Sequence, residues 1–213
     1  MGMGTLMSVW CLLSSYRILM GGIFLMLCLC LRKKGAFQLV LRHFVSWCNN
    51  HSSFAFAVSI LLGLVVRLIV YLLSSWYGVD DLWTQAPDYK WIWNEAVQFS
   101  QGMMPPTKSW TSVWLYGSAF GLCGSSLWTA YILSTLLLAI SSWCGYKILV
   151  QSNLPAGGVL FAFFFFNSPV MIMHSWCVAT EQIFTLFMML ALLTATQLRS
   201  AMKNQYSARA MSL

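Results

Sequence analysis

An all-α, polytopic transmembrane bundle is the fold class this sequence predicts, and three observations carry that expectation. Only 8% of the 213 residues are charged while 59% are hydrophobic, where a soluble domain carries about a quarter charged residues. Mean hydropathy is +0.72, and apolar runs long enough to cross ~30 Å of hydrocarbon recur along the chain. Four of the five acidic residues fall in one polar island, residues 77–109, between such runs. A carboxylate is costly at membrane depth and cheap in a solvated loop, so acids gathered in one loop point to a site at the membrane surface. The expected architecture has about four to five spans and an extracytoplasmic loop carrying an amphipathic surface helix.

The net charge of +7 does not make nucleic acid an expected partner. The basic residues lie mostly in short segments flanking hydrophobic runs, where they orient helices in the bilayer. Of the seven cysteines, six lie in hydrophobic surroundings and Cys48 sits beside the basic segment, while His43, His51 and His174 are scattered. No metal-ligand spacing appears among them, so cysteine reads here as a small apolar residue.

Taken in order, residues 7–31 form a first apolar run, either a span or a signal-like or interfacial helix. Residues 32–53 hold Arg32, Lys33, Lys34 and Arg42 with apolar residues interleaved, which predicts a cytoplasmic stretch on the anionic membrane face and closes an N-terminal region, 1–53. Residues 54–76 are the clearest span, ending in the interfacial aromatics Trp76 and Tyr77. Within it Arg67 either snorkels or pairs inside the bundle, or helps hold a phosphate.

In the island, Pro87 and Asp88 read as a helix start, because Asp caps well and its charge suits the positive helix end. Tyr89, Ile92, Trp93, Ala96, Val97 and Ser100 then share one face, with Lys90, Asn94, Glu95, Gln98 and Gln101 on the others, until Gly102 and Pro105-Pro106 stop the helix. Such a helix is expected to lie along the membrane plane. Residues 110–124 are either a second surface helix or the start of the next span. Residues 126–150 cross back, 151–158 turn at Pro155, and 159–172 return outward until Ser168-Pro169 kinks or ends the helix. Residues 179–198 cross inward, and 199–213 form a basic cytoplasmic tail. On this topology every acid is outside.

Three segments on that side carry a joint pattern: PDYKWIWNEAVQFSQG (87–102), KSWTSVWLYGSAFGLCG (108–124) and NSPVMIMHSWCVATEQIFTLFMMLALL (167–193). Together they resemble the GT-C class of integral-membrane glycosyltransferases, in particular bacterial family-39-like enzymes that take a sugar from a polyprenyl-phosphate carrier. Asp88, Trp93, Ala96 and Gly102 fit the class's acid-plus-surface-helix loop with small offsets. Pro169 and Thr180-Glu181 match its broken third helix and the opening of its fourth. The resemblance covers about 54–198, and order, spacing and sidedness carry it.

The resemblance implies sugar transfer to an acceptor on the extracytoplasmic side of a membrane, most naturally the bacterial plasma membrane. It implies Asp88 as the catalytic acid, either a general base toward the acceptor hydroxyl or a group helping a divalent cation, Mg or Mn, engage the donor phosphate; helix capping is its other reading. Asp80 and Asp81 are the alternatives for that acid, or simply a solvated helix exit. Lys108 and Arg67 are the residues for the donor phosphate, Lys108 serving otherwise as a headgroup anchor, and Glu181 reads as structural support for the loop. Members of the class continue with further spans, so the chain is expected to act as such an enzyme or as its N-terminal half, completed by a downstream partner polypeptide. The competing reading is a non-catalytic membrane protein, a small carrier-lipid flippase or an assembly subunit, for which the acid and the surface helix are unnecessary.

Overall fold

The computed structural model describes residues 36–76 and 87–211. Among them are eight α-helices and no strand: α1 Ala36–Asn50, α2 Ser52–Trp76, α3 Pro87–Ser100, α4 Trp110–Cys123, α5 Leu127–Gln151, α6 Pro155–Asn167, α7 Pro169–His174 and α8 Thr180–Met211. The expected helix at 7–31, the cluster Arg32 to Lys34, and Asp80 and Asp81 lie outside the described residues.

Three described helices are long and apolar enough to cross a membrane: α2, α5 and the Thr180–Met202 part of α8. These three are the candidates among the described residues, and the expected run at 7–31 lies outside them. The return stretch predicted at 159–172 is two helices: α6 begins earlier, at Pro155 in its first turn, and is only 13 residues long. The break has a local cause. Ser168 is extended (φ −65°, ψ 145°) and its hydroxyl accepts the Met171 N–H, so it ends α6 and caps α7, while Pro169 has no N–H with which to continue the ladder.

α2 is apolar almost all round, yet its buried residues form one stripe, Ala55, Ser59, Gly63, Arg67 and Tyr71, spaced four apart. Small residues along such a stripe let helices approach closely where lipid gives no hydrophobic drive. Against it lies α6: a Cβ on Gly63 would stand 2.5 Å from Phe166 Cδ1 and 2.8 Å from Asn167 Oδ1. Asn167 Nδ2 in turn donates to Ser59 O (3.2 Å) and Phe163 O (2.9 Å).

Half of the α5 span is buried, against 22% for α2 and 11% for α8, so α5 is the central helix. It packs on α6, α8 and α4. A three-residue turn joins α5 to α6, with Asn153 at φ 61°, the left-handed conformation Asn tolerates. There Leu154 N–H reaches Leu149 O (2.9 Å) and Asn153 N–H reaches Val150 O (3.0 Å), a Schellman closure that satisfies the last carbonyls.

At the two ends the structure adds helical detail to the expected segments. The basic stretch 32–53 contains a helix, α1, held at the start of α6 by Asn49 Oδ1, which accepts the Ala156 N–H at 3.1 Å. The expected tail continues α8 as far as Met211. The bundle thus has a basic end, with Arg42, Lys147 and Arg199, and an opposite end where α5 and α8 begin and where Glu181 lies.

Candidate functional site

A helix is present where the surface helix was expected. α3 begins at Pro87, which puts Asp88 in its first turn, and it ends before Gly102 (φ 82°). There Met103 N–H bonds Gln98 O (3.1 Å) and Gly102 N–H bonds Phe99 O (3.0 Å), so glycine supplies the left-handed residue that closes the helix.

The buried face of α3 is rotated from the one read in the sequence. Ile92, Glu95 and Ala96 are buried while Trp93 and Val97 are only partly so. Glu95, expected on a solvated face, is 6% exposed, and its Oε2 has no hydrogen-bond partner among the described residues. The signal was available: 92, 95, 96 and 99 form an i, i+3, i+4, i+7 stripe. A charge at 95 argued against it, and packing against α4 overrode that charge.

α3 and α4 pack together around Gly117, whose Cβ would lie 2.9 Å from Ala96 O and 2.7 Å from Phe99 Cδ1. Ile92 and Ala96 share one core with Val113, Tyr116 and Phe120 of α4, Ala130 and Leu137 of α5, and Val178 and Ile183 at the start of α8. Residues 110–124 are thus a helix separate from the next span, divided from α5 by Gly124 and by Ser126, whose hydroxyl accepts the Thr129 N–H.

A polar chain locks α4 in place. Ser134 Oγ donates to Cys177 O at 3.1 Å, so the proton in its 2.6 Å contact with Tyr116 belongs to the Tyr116 hydroxyl. Complete burial holds that phenol neutral by pushing its pKa well above the ordinary value. Gln182 Nε2 also donates to Cys177 O (3.1 Å) and to His174 O. The irregular segment 175–179 is buried throughout, as non-helical backbone at this depth must be.

Arg67 completes that lock from α2. It is fully buried. Its Nε donates to Ser175 Oγ (3.0 Å) and its Nη2 to Phe166 O (2.7 Å) and Met171 O (3.4 Å), with Nη1 bonded to Gly63 O (3.2 Å). The guanidinium lies 3.9 Å from the Phe166 ring centroid. Of the readings open for Arg67, pairing within the bundle is the one the geometry displays: Phe166 O, freed where α6 ends, and Met171 O and Ser175 Oγ beyond the break are among its partners.

Lys108 is exposed, next to an ST turn in which Thr107 Oγ1 accepts the Ser109 N–H (3.0 Å). Glu181 is exposed in the first turn of α8, where a carboxylate suits the helix dipole, and Thr180 Oγ1 lies 3.5 Å from its Oε2. Close by, Tyr71, Trp128, Tyr131 and Trp176 form an aromatic cluster with Tyr71 to Trp128 at 3.9 Å and Tyr71 to Trp176 at 5.4 Å. Sequence reading missed this cluster because its members come from α2, α5 and the 175–179 segment. Among the described residues no three His, Cys, Asp or Glu side chains converge as a metal site would require.

Set against protein-family models, curated proteins and solved structures, the chain matches none.

Proposed function

We propose that the chain is a membrane glycosyltransferase, or the N-terminal half of one, moving a sugar from a polyprenyl-phosphate carrier to an acceptor hydroxyl on the extracytoplasmic side of a bacterial plasma membrane. One observation carries this reading. Asp88 stands in the first turn of a helix that is not free in a loop but docked, through α4, onto the same end of the bundle where Glu181 opens α8. A flippase or a passive subunit has no use for an acid on a helix docked there.

In the proposed step the acceptor oxygen attacks the anomeric carbon, and Asp88 takes the hydroxyl proton. The bond from that carbon to the phosphate oxygen breaks, and polyprenyl phosphate leaves with the electron pair. Lys108, exposed at the loop's return, offsets the charge developing on the leaving phosphate. Asp80 and Asp81 remain the alternatives to Asp88. Arg67 is assigned to holding the α6–α7 break, since its donors are engaged by protein acceptors. A divalent cation, when bound, would offset charge on the same phosphate; among the described residues no three His, Cys, Asp or Glu side chains converge to hold one.

The test is transfer of labelled sugar from a polyprenyl-phosphate donor by membranes holding the chain, with any downstream partner polypeptide supplied. Asp88→Asn is expected to lower transfer by about 10²- to 10⁴-fold, the usual worth of a positioned base. Lys108→Gln is expected to lower kcat together with kcat/KM for the donor, because the charge it offsets develops only as the phosphate leaves. Absence of transfer by the unaltered chain, or full transfer by Asp88→Asn, overturns the proposal.

A further inference from the structure

At the opposite end of the bundle, α1 carries a surface that sugar transfer does not use. Its helix divides into three arcs. Val45 and the fully buried Cys48 turn into the bundle against Ala55, Tyr146, Ala156 and Val159. Val40, Phe44 and Trp47 are adjacent and exposed, at 63%, 41% and 44%. Arg42, His43, Ser46, Asn49 and Asn50 take the remaining arc and are also exposed. The apolar sector is thus wider than the bundle covers, which is the pattern of a helix lying in a membrane interface.

Along the polar edge runs a groove of ≈ 390 Å³ lined by Leu41, Arg42, Val45, Ser46, Asn49 and Asn50. Arg42, Ser46 and Asn50 follow one another at i, i+4 and i+8, so they form a single row of donors along the polar arc. The row is fixed relative to the bundle, because Asn49 Oδ1 is bonded to the Ala156 N–H at the head of α6. No carboxylate offsets its charge: the sequence from 32 to 79 contains no Asp or Glu, and the described acids Glu95 and Glu181 belong to the other end.

From this charge complementarity we infer that the α1 groove binds the phosphate of an anionic phospholipid, with Arg42 as the cationic contact, Ser46 and Asn50 as neutral donors, and Val40, Phe44 and Trp47 lying among acyl chains. A guanidinium matches a phosphodiester through two parallel hydrogen bonds. The bilayer is the occupant because the helix exposes both an apolar arc and a polar arc carrying the donor row at the end of three helices long enough to cross it.

The full chain in neutral detergent is titrated with short-chain phosphatidylglycerol, short-chain phosphatidylcholine and inorganic phosphate, reading dissociation constant, thermal midpoint and oligomeric state. Phosphatidylglycerol is expected to bind and raise the midpoint, with neither phosphatidylcholine nor phosphate matching it. Arg42→Gln is expected to weaken phosphatidylglycerol about five-fold, equivalent to ~1 kcal/mol for one basic residue near anionic lipid. Ser46→Leu is expected to weaken it as well, and Arg199→Gln, exposed at the same end, to leave it unchanged. Equal binding of phosphatidylcholine, equal binding by Arg42→Gln, an equal loss in Arg199→Gln, or a phosphate effect as large as the lipid's overturns the inference. So does a dimer that Arg42→Gln dissolves, which would make a second copy of the chain the occupant.

Discussion

Replacing Arg67 by leucine removes the donors that serve Ser175 Oγ, Phe166 O and Met171 O. A buried polar group left without its partner costs ~1–3 kcal/mol, so Arg67→Leu is expected to destabilise the bundle by ~3 kcal/mol or more, read from unfolding in mixed micelles of rising SDS content. Arg67→Lys should recover only part of that loss, because one ammonium cannot reproduce a planar fork aimed at three acceptors. A stable Arg67→Leu that merely lost donor affinity would restore the phosphate-binding reading. Glu95 makes the opposite case. Its Oε2 is buried without a partner among the described residues, so Glu95→Leu is expected to raise stability by about 1 kcal/mol in the same assay. A solvated Glu95 would give no change. An arginine inside an apolar run announces itself in the sequence, but which acceptors it serves depends on residues about a hundred positions away.

At the level of elements, the α3–α4 crossing is the joint on which the proposed site depends. Gly117→Ala puts a methyl group against the Ala96 carbonyl, which is backbone and cannot swing aside. The expected cost is ~1–3 kcal/mol, the range for overpacking, together with reduced transfer, because α3 carries Asp88. Tyr116→Phe should cost ~1 kcal/mol by deleting the hydrogen bond to Ser134. Helix ends were the legible part of these elements: Gly102, Ser168-Pro169 and Thr180-Glu181 all mark boundaries through local backbone chemistry that a sequence displays. What stayed hidden was set by packing. Burial of 175–179 follows from Gln182, Ser134 and Arg67 converging on its polar groups. Helix α1 went unread because basic residues and short apolar steps resemble a surface stretch until the three arcs are laid on a cylinder.

For the whole molecule, the separation of charge is the organising fact. Arg42, Lys147 and Arg199 gather at one end of the three long helices, and Glu181 lies at the other, with α3 and α4 packed against the first turns of α8. The expectation of sidedness came from composition, through which the bilayer acts on charge, whereas the break at Ser168 that divides 155–174 into two helices is set by local capping. In whole cells a membrane-impermeant maleimide is expected to label Lys108→Cys above the parent chain and to leave Ser46→Cys unlabelled until the membrane is opened. The central claim joins this orientation to chemistry, and one measurement addresses both: sugar transfer in sealed right-side-out vesicles supplied with polyprenyl-phosphate sugar and acceptor on the outside. The account predicts product outside the vesicles from the unaltered chain with any downstream partner present, and a loss of about 10²-fold or more with Asp88→Asn. Equal product from Asp88→Asn, or product formed only when the inner face is supplied, would contradict it.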